Sequence, residues 1–151
     1  MLTFERSHDL PLIRALIVDN WDQVSDDTSE PMESFVPPDH PSIWYVLVRH
    51  DENPIGLFMF ERRGVEFLVH CCLIPGTGGF KAVRSLKEVL GWMWANSPAR
   101  RITGSVPAYN ARTLKQARLV GMKQFGVNEK AVLKHGKLED LILFGISAPG
   151  I

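Results

Sequence analysis

The stretch Asn110-Ala-Arg-Thr-Leu-Lys-Gln-Ala-Arg-Leu-Val-Gly-Met122 carries the strongest structural signal in the chain. Asn110 favours the N-cap of a helix, because its short side chain can accept a hydrogen bond from a free amide of the first turn. Gly121 favours the end of a helix, where a left-handed backbone conformation is common. A strand-like run over 101–107 precedes the stretch, and a mixed extended run follows it. We therefore expect a strand, a helix over 111–120 and a second strand in this order.

Hydrophobic periodicity and turn residues place the remaining elements. A first helix is expected after Ser7 or Asp9, and a short helix near 21–25 or 30–35. The other predicted elements are strands at 2–5, 43–49, 55–60, 65–74, 124–133 and 138–146, and a long helix at 80–95. Turns are predicted at 51–54, at 62–64 and at His135-Gly136. This order predicts one α+β domain over residues 1–151. Its sheet is expected to be mixed but mostly antiparallel, with about six or seven strands and about four flanking helices.

Composition is that of an ordinary globular protein. The chain has 151 residues, of which 45% are hydrophobic and 23% charged, and this length suits a single core. No apolar run approaches the ~20 residues of a membrane span, and the N-terminus lacks the pattern of a secretory signal. Cys71 and Cys72 are adjacent, a spacing that disfavours a disulfide. We therefore expect reduced thiols, a cytoplasmic location and no membrane partner.

Charge is distributed unevenly along the chain. Residues 1–66 contain 5 basic and 13 acidic side chains, whereas residues 67–151 contain 12 basic and 4 acidic ones. Such asymmetry fits either charged partners or attraction between the two halves of one fold. The basic half lacks the interleaved exposed aromatic residues of many single-strand binders, so we expect no nucleic-acid partner.

The order of strand, Asn, helix and Gly-hydrophobe resembles the last helical unit of the GNAT N-acetyltransferases. The family pattern is Asn-x-x-Ala/Ser-x-x-x-Tyr-x-x-x-Gly-Phe, and Asn110, Thr113, Gly121 and Met122 match it in type or spacing. Ala117 stands where the family has Tyr. The predicted element order also matches the GNAT-like (acyl-CoA N-acyltransferase) fold over nearly the whole chain. Several dipeptides and short runs, among them Val69-His70 and Gly91-Trp-Met-Trp94, resemble GNAT-like proteins of tailed phages and prophages.

The resemblance implies acetyl-CoA (coenzyme A) as co-substrate and no metal. In the family, backbone amides of the loop after the fourth strand hold the pyrophosphate, and the strand itself holds the pantetheine arm. A glycine-rich turn at this point is also common without a ligand. The cofactor-binding residues expected from the resemblance are Cys72, Ile74, Gly76, Thr77, Gly78, Gly79, Phe80 and Asn110.

Three residues are candidates for catalysis. His70 on the fourth strand has the intrinsic acidity of a base that works near neutral pH, although a strand histidine also fits a structural role. Glu66, at the start of that strand, occupies the region where the family often has a glutamate base, although this position also suits a solvated carboxylate. Tyr109 is the tyrosine nearest to Asn110 and the candidate for protonating the thiolate.

The acceptor site is expected between the first two helices, as in the family. Trp21 and Glu33 are its candidate substrate-binding residues. The segment 22–33 is acidic and contains no basic residue, so it either attracts a cationic amine or simply faces water.

The leading hypothesis is acetyl-CoA-dependent N-acyltransfer, direct to an amine in a ternary complex. The alternative is a non-catalytic GNAT-fold protein that serves phage or prophage assembly or interaction. The final strands mediate dimers in many family members, so a homodimer is an expected partner.

Overall fold

The computed structural model of the chain describes residues 2–73 and 80–150, with side chains except at 71–73, 80 and 81. The strands are β1 (Leu2–Ser7), β2 (Ile43–His50), β3 (Asn53–Arg63), β4 (Glu66–Leu73), β5 (Arg101–Pro107), β6 (Lys123–Lys134) and β7 (Lys137–Ser147). The helices are α1 (Leu10–Asp19), α2 (Trp21–Val24), α3 (Phe80–Asn96) and α4 (Ala111–Leu119), with a short 3-10 turn at Met32–Ser34. None of the described helices has both the length and the apolar character that crossing a bilayer requires.

The seven strands form one sheet in the order β1-β2-β3-β4-β5-β7-β6. All neighbouring strands are antiparallel except β4 and β5, which are parallel and are connected by α3. A parallel pair needs such a crossover, whereas antiparallel neighbours need only a tight turn. The expected α+β fold, with a mixed and mostly antiparallel sheet and four helices, is confirmed.

Tight turns account for most differences between predicted and observed strand ends. Asp51 and Glu52 both have positive φ, 48° and 72°, a pair of conformations that closes a two-residue hairpin turn. The turn predicted over 51–54 is therefore shorter, and β3 begins at Asn53. The next turn is at 64–65 and not at 62–64, so β3 extends to Arg63 and β4 begins at Glu66. The predicted final turn, His135-Gly136, is confirmed.

Apolar residues on alternate strand positions build a core on each face of the sheet. On the face covered by α3, side chains of β2, β3 and β4 pack with Val89 and Met93 of the helix, which are at most 1% exposed. On the other face, Leu47 and Leu57 pack against Ile13 and Ile17 of α1. Full burial of such side chains contributes about 1.5–3 kcal/mol each. These faces are called the α3 face and the α1 face below.

Candidate functional site

A β-bulge at His70 interrupts the pairing of β3 with β4. Met59 is opposite Cys71, and the next residue of β3, Phe60, is opposite Val69. His70 is therefore an extra residue on β4 with no opposite partner on β3. A bulge bends its strand and increases the local twist, so β4 changes direction at this point.

Beyond the bulge, β4 separates from β5. The two strands pair from Glu66–Arg101 to Val69–Gly104. Residues 71–73 remain paired with β3, and residues 105–107 remain paired with β7, but no pair between these two segments is present in the described part of the chain. The opening between 71–73 and 105–107 is called the cleft, and the pair Val69–Gly104 is its apex. Its two walls are strand edges whose N–H and C=O groups can accept an extended ligand as an added strand.

Glycine at position 104 allows the two strands to meet at the apex. A Cβ atom there would lie 2.7 Å from Cγ1 of Val69 and 3.6 Å from its carbonyl oxygen. Any larger residue would force the strands apart at the point where pairing ends. The close approach therefore requires glycine, and the cleft narrows sharply toward its apex.

His70 lies on the α1 face beside two charged residues of β3. Its Nε2 atom is 3.8 Å from Oε2 of Glu61, and the same oxygen accepts a 2.6 Å hydrogen bond from Nε of Arg63. The hydrogen bond from Arg63, together with the charges of Arg63 and His70, holds the pKa of Glu61 below its ordinary value. Glu61 therefore remains a carboxylate that can orient the imidazole. The contact joins residues of two strands, and the sequence contains no signal for it.

Glu66 is also on the α1 face, at the closed end of the cleft. Residues opposite each other in a sheet share a face, and Glu66 is opposite Arg63, whose strand neighbours Glu61 and Met59 face α1. Its Oε1 atom accepts a 2.9 Å hydrogen bond from Oγ1 of Thr103, which is only 5% exposed. The alternative of a fully solvated Glu66 is therefore wrong, because the carboxylate is partly buried and hydrogen-bonded.

Tyr109 lies two residues beyond the end of β5, at the open end of the cleft. Its side chain is about half exposed. Partial burial raises the pKa of its phenol, and the carboxylates of Asp26, Glu139, Asp22 and Asp27 raise it further. The phenol therefore keeps its proton at neutral pH, and the same shift makes it a weaker proton donor than an ordinary tyrosine.

The carboxylates near Tyr109 belong largely to a segment that reaches across the α1 face. This segment, residues 21–29, is called the arm. Lys134 at the end of β6 donates 2.7 Å hydrogen bonds to the carbonyls of Asp22 and Ser25. The carboxylate of Asp27 accepts hydrogen bonds from the backbone amides of His135 and Gly136, at 2.9 and 2.7 Å. The arm is thereby fixed to the tip of the β6–β7 hairpin.

The two residues expected to bind the acceptor are placed differently. Trp21 begins α2 at the root of the arm, and its ring lies 5.2 Å from that of Phe35, half-buried against the α1 core. Glu33 is exposed in the 3-10 turn at Met32–Ser34. Both residues remain predictions for substrate binding.

Asn110 caps α4, as its position in the sequence predicts. Its Oδ1 atom accepts a 3.2 Å hydrogen bond from the amide of Thr113, and its own amide donates to the carbonyl of Pro107 at 2.9 Å. Ala117, at the position of the family's tyrosine, is buried against Val106 and Phe144. Asn110 therefore fixes the first turn of α4 beside the cleft, while its contact with a coenzyme stays a prediction.

The remaining expected coenzyme contacts fall at the edge of the described structure. Cys72 lies on the cleft wall opposite Phe58 of β3, and Phe80 is the first residue of α3. Five expected residues lie outside the described part, namely Ile74, Gly76, Thr77, Gly78 and Gly79. Within the described part, no group of three or more His, Cys, Asp or Glu side chains is arranged to hold a metal ion.

One cavity of the molecule lies away from the cleft. It has a volume of about 380 Å³ and opens between the β1–α1 turn and residues 38–43, near the far edge of the sheet. Arg6 packs there over the ring of Trp44, 4.0 Å from its centroid, and donates to the carbonyl of Pro41 at 3.2 Å. Because these polar groups hold the β1–β2 edge together, we place the candidate site at the cleft and not at this cavity.

Comparison with solved structures identifies the fold. The spermidine N-acetyltransferase from Vibrio cholerae, solved in complex with CoA and spermine, is 16% identical with a TM-score of 0.76, and the match covers 97% of this chain and 95% of that chain. The ribosomal-protein-S18-alanine N-acetyltransferase from Escherichia coli is 12% identical with a TM-score of 0.72, and the match covers 100% of this chain and 99% of that chain. Mycobacterium smegmatis RimJ in complex with CoA-disulfide is 14% identical with a TM-score of 0.74, and the match covers 97% of this chain and 82% of that chain.

Sequence comparison finds no relative, because neither a protein-family model nor a curated protein matches the chain. The structural likeness nevertheless extends over almost the whole chain and over the whole of several neighbours. The seven-stranded sheet, its bulged fourth strand and the helices on both faces show that this chain has the GNAT fold, the fold of its N-acetyltransferase neighbours.

Proposed function

We propose that the protein is an acetyl-CoA-dependent N-acyltransferase that transfers the acyl group directly to an amine. The observation that carries this proposal is the cleft, with its bulge at His70 and its two unpaired strand edges. The cleft is closed at one end by the apex and opens toward the residues that connect β4 to α3. An extended amide-containing arm fits such an opening, because strand edges offer it hydrogen-bond donors and acceptors along their whole length.

The walls of the cleft suit a thioester as well as an extended arm. Backbone N–H groups of 71–73 that face β5 are available to bind the carbonyl oxygen and to stabilise the negative charge that develops on it. The diphosphate of a coenzyme would lie at the start of α3, where free amides and the helix dipole favour anions. The glycine-rich stretch 75–79 is our proposed contact for that diphosphate.

The reaction needs a neutral amine, and two residues of the α1 face are proposed to take its proton. Glu66 and His70 are on the α1 face of β4, before and after Val69 of the apex. After loss of the proton, the neutral nitrogen bonds to the acyl carbon, the carbon–sulfur bond breaks, and the nitrogen loses a second proton to give the neutral amide. Tyr109 or water then protonates the thiolate, whose ordinary pKa near 8.5 makes a modest demand on the acid.

The structural neighbours support this proposal. The Vibrio cholerae neighbour is a spermidine N-acetyltransferase in complex with CoA and spermine, and Mycobacterium smegmatis RimJ is in complex with CoA-disulfide. Both share the fold of this chain at low identity. We extend the use of acetyl-CoA, and of an amine acceptor, from these proteins to this one.

Calorimetric titration with acetyl-CoA tests the proposal. We expect micromolar affinity for the unaltered protein and loss of binding in Gly78→Glu, because a carboxylate would repel the diphosphate. The matched control is Gly91→Glu, which adds the same charge to α3 at a site where a Cβ meets no atom within 4 Å. An absence of binding at millimolar acetyl-CoA would overturn the enzymatic proposal.

One observation favours a second candidate function, that of a non-catalytic protein in phage or prophage assembly. Ala117 replaces the family's tyrosine and is buried against Val106 and Phe144, so α4 offers no acid at this position. If the protein does not bind acetyl-CoA, the result supports this second function. If it binds acetyl-CoA and releases thiol in the presence of amines, the second function is excluded.

A further inference from the structure

A small cavity on the α1 face adjoins the apex of the cleft. Its volume is about 140 Å³, and it extends from Arg63 and Glu66 at the closed end to Gly104 and Ser105 at the apex. Because Ser105 is one residue beyond the apex pair, the cavity leads directly toward the place proposed for the thioester. We call it the acceptor pocket.

The pocket contains one carboxylate that is held in a fixed position. Oε1 of Glu66 accepts the hydrogen bond of Thr103, at 2.9 Å, and Thr103 is itself buried. The structure records no partner for Oε2 among the described residues. A fixed, partly buried carboxylate with an unused oxygen is suited to bind an ammonium group and then to accept its proton.

The pocket also contains one guanidinium, at the end away from the apex. Arg63 is opposite Glu66 in the sheet and donates through Nε to Glu61 at 2.6 Å. The structure records no partner for its two terminal nitrogens among the described residues. Such a guanidinium is the group that best recognises a carboxylate in proteins.

Apolar side chains form the remaining wall. Leu68 of β4 and Leu143 of β7 line the pocket together with Phe125. Phe125 stands at an irregularity of the β6–β7 register and is 56% exposed, with the guanidinium of Arg101 at 5.5 Å from its ring. A large apolar ring left at the mouth of a polar pocket can cover an apolar group of a ligand.

From these groups we infer that the acceptor is an α-amino acid with a small or medium apolar side chain. Its carboxylate binds Arg63 at the closed end, its amino group lies on the apex side of the Glu66 carboxylate, and its side chain packs on Leu68, Leu143 and Phe125. This inference rests on the proposed acyl transfer. In the reaction the ammonium gives up one proton to Glu66 before attack, and the new N–C bond replaces the C–S bond. The nitrogen loses a second proton as the amide forms, and this loss balances the proton that the thiolate gains.

The test compares L-leucine with 3-methylbutan-1-amine, which has the same side chain and lacks the carboxylate. Thiol release with acetyl-CoA gives kcat/KM for each, and mass spectrometry confirms the acetylated product. We expect the unaltered protein to prefer leucine. Arg63→Gln should lower the ratio of kcat/KM for leucine to kcat/KM for the amine by about 10- to 100-fold, the range for a charged hydrogen bond.

Arg62→Gln is the matched control. Arg62 is the neighbouring strand residue, directed to the other face, and its Nε donates to the carbonyl of Gly64 at 3.1 Å. This variant loses the same charge and should change neither kcat/KM. Equal loss of leucine turnover in both variants would overturn the inference, because it would show a general effect of charge.

The outcomes separate this inference from the proposed function. Equal turnover of leucine and the amine by the unaltered protein overturns the amino-acid acceptor and leaves acyl transfer intact. Calorimetry with leucine alone provides a second measurement that does not depend on turnover. Leucine binding that Arg63→Gln weakens supports the pocket, and the absence of any leucine binding together with absent turnover overturns it.

Discussion

At the scale of single residues, Gly104 controls how closely β4 and β5 approach. We predict that Gly104→Ala destabilises the protein by about 1–3 kcal/mol, the usual cost of overpacking. The added methyl would collide with Cγ1 of Val69, and a β-branched side chain has little freedom to turn away. Urea unfolding, followed by circular dichroism, measures the difference.

Gly145→Ala is the control for this prediction. The three atoms nearest to a Cβ at position 145 all belong to the guanidinium of Arg101, which lies at the end of a long and flexible side chain. We expect a change within about 0.5 kcal/mol. A similar loss of stability in both variants would contradict a special role for the apex, and would instead indicate a general requirement for glycine in this part of the sheet.

Asp27 gives a prediction about pH. Hydrogen bonds from the amides of Gly136 and His135 hold the pKa of this carboxylate below its ordinary value. The unfolded value is about 3.9, so its stabilising effect is fully present above that pH and is lost as pH falls through the folded value. The melting temperature of Asp27→Asn should therefore lie below that of the unaltered protein at pH 7, and the difference should shrink below about pH 4.

A suitable control for Asp27 is Asp19→Asn. Asp19 is the last residue of α1 and is exposed. Its substitution removes the same charge without removing a bond to the β6–β7 hairpin. If the melting temperature of Asp19→Asn showed the same dependence on pH, then the net charge and not the docking of the arm would explain the result for Asp27→Asn.

Some residue roles lay beyond the reach of the sequence because their partners are distant in the chain. Glu66 is 37 residues from Thr103, the residue that fixes its carboxylate. The residues next to Glu66 in the sequence do not show whether its carboxylate faces water at the start of a strand or is hydrogen-bonded to another strand. The contact of His70 with Glu61 likewise depends on a hairpin register that periodicity alone does not determine.

At the scale of elements, the bulge at His70 decides whether β4 and β5 remain paired. We predict that deletion of His70 restores regular pairing of β4 with β3, because the extra residue is removed. The strand would then straighten and the cleft would narrow. The expected result is loss of acetyl-CoA binding in calorimetry with a retained circular dichroism spectrum.

His70→Ala is the matched control for the deletion. It keeps the extra residue, and therefore the bulge, while it removes the imidazole. We expect this variant to bind acetyl-CoA with an affinity close to that of the unaltered protein. Binding that survives the deletion would show that the opening does not depend on the bulge.

Elements were predictable where their signals are local. The N-cap of α4 at Asn110 and the turn His135-Gly136 follow from residue types that favour these conformations. The start of β3 was misplaced because a two-residue turn at Asp51-Glu52 uses positive φ without any glycine. The position of the bulge at His70 has no local signal in the sequence, because it depends on how β3 and β4 align.

At the scale of the whole molecule, the arm connects the acidic N-terminal half to the basic C-terminal half. The uneven charge of the sequence left open whether the halves attract each other or external partners. Lys134 and the hairpin amides hold an acidic segment more than 100 residues away. The asymmetry is thus used at least in part within the fold, and the same carboxylates raise the pKa of Tyr109 at the open end of the cleft.

Substitution of Lys134 should therefore release the arm from the β6–β7 hairpin. Its side chain is only 11% exposed, and its ammonium donates to the carbonyls of Asp22 and Ser25. We predict that Lys134→Met frees the arm, because two charged hydrogen bonds are lost and methionine of similar length cannot donate. Cleavage by endoproteinase Asp-N, which cuts before Asp22, Asp26 and Asp27 of the arm, should accelerate several-fold, as local opening becomes easier.

The same variant tests whether the arm contributes to the binding of acetyl-CoA in the cleft. Acetyl-CoA binding should not change in Lys134→Met, because the cleft walls at 71–73 and 105–107 are held by β3 and β7 and not by the arm. Lys137→Met, at an exposed position on the same hairpin, should alter neither cleavage nor binding. If Lys134→Met weakened acetyl-CoA binding as strongly as it accelerated cleavage, the arm would be part of the coenzyme site, and the division of the molecule into a coenzyme cleft and an arm-covered acceptor side would be wrong.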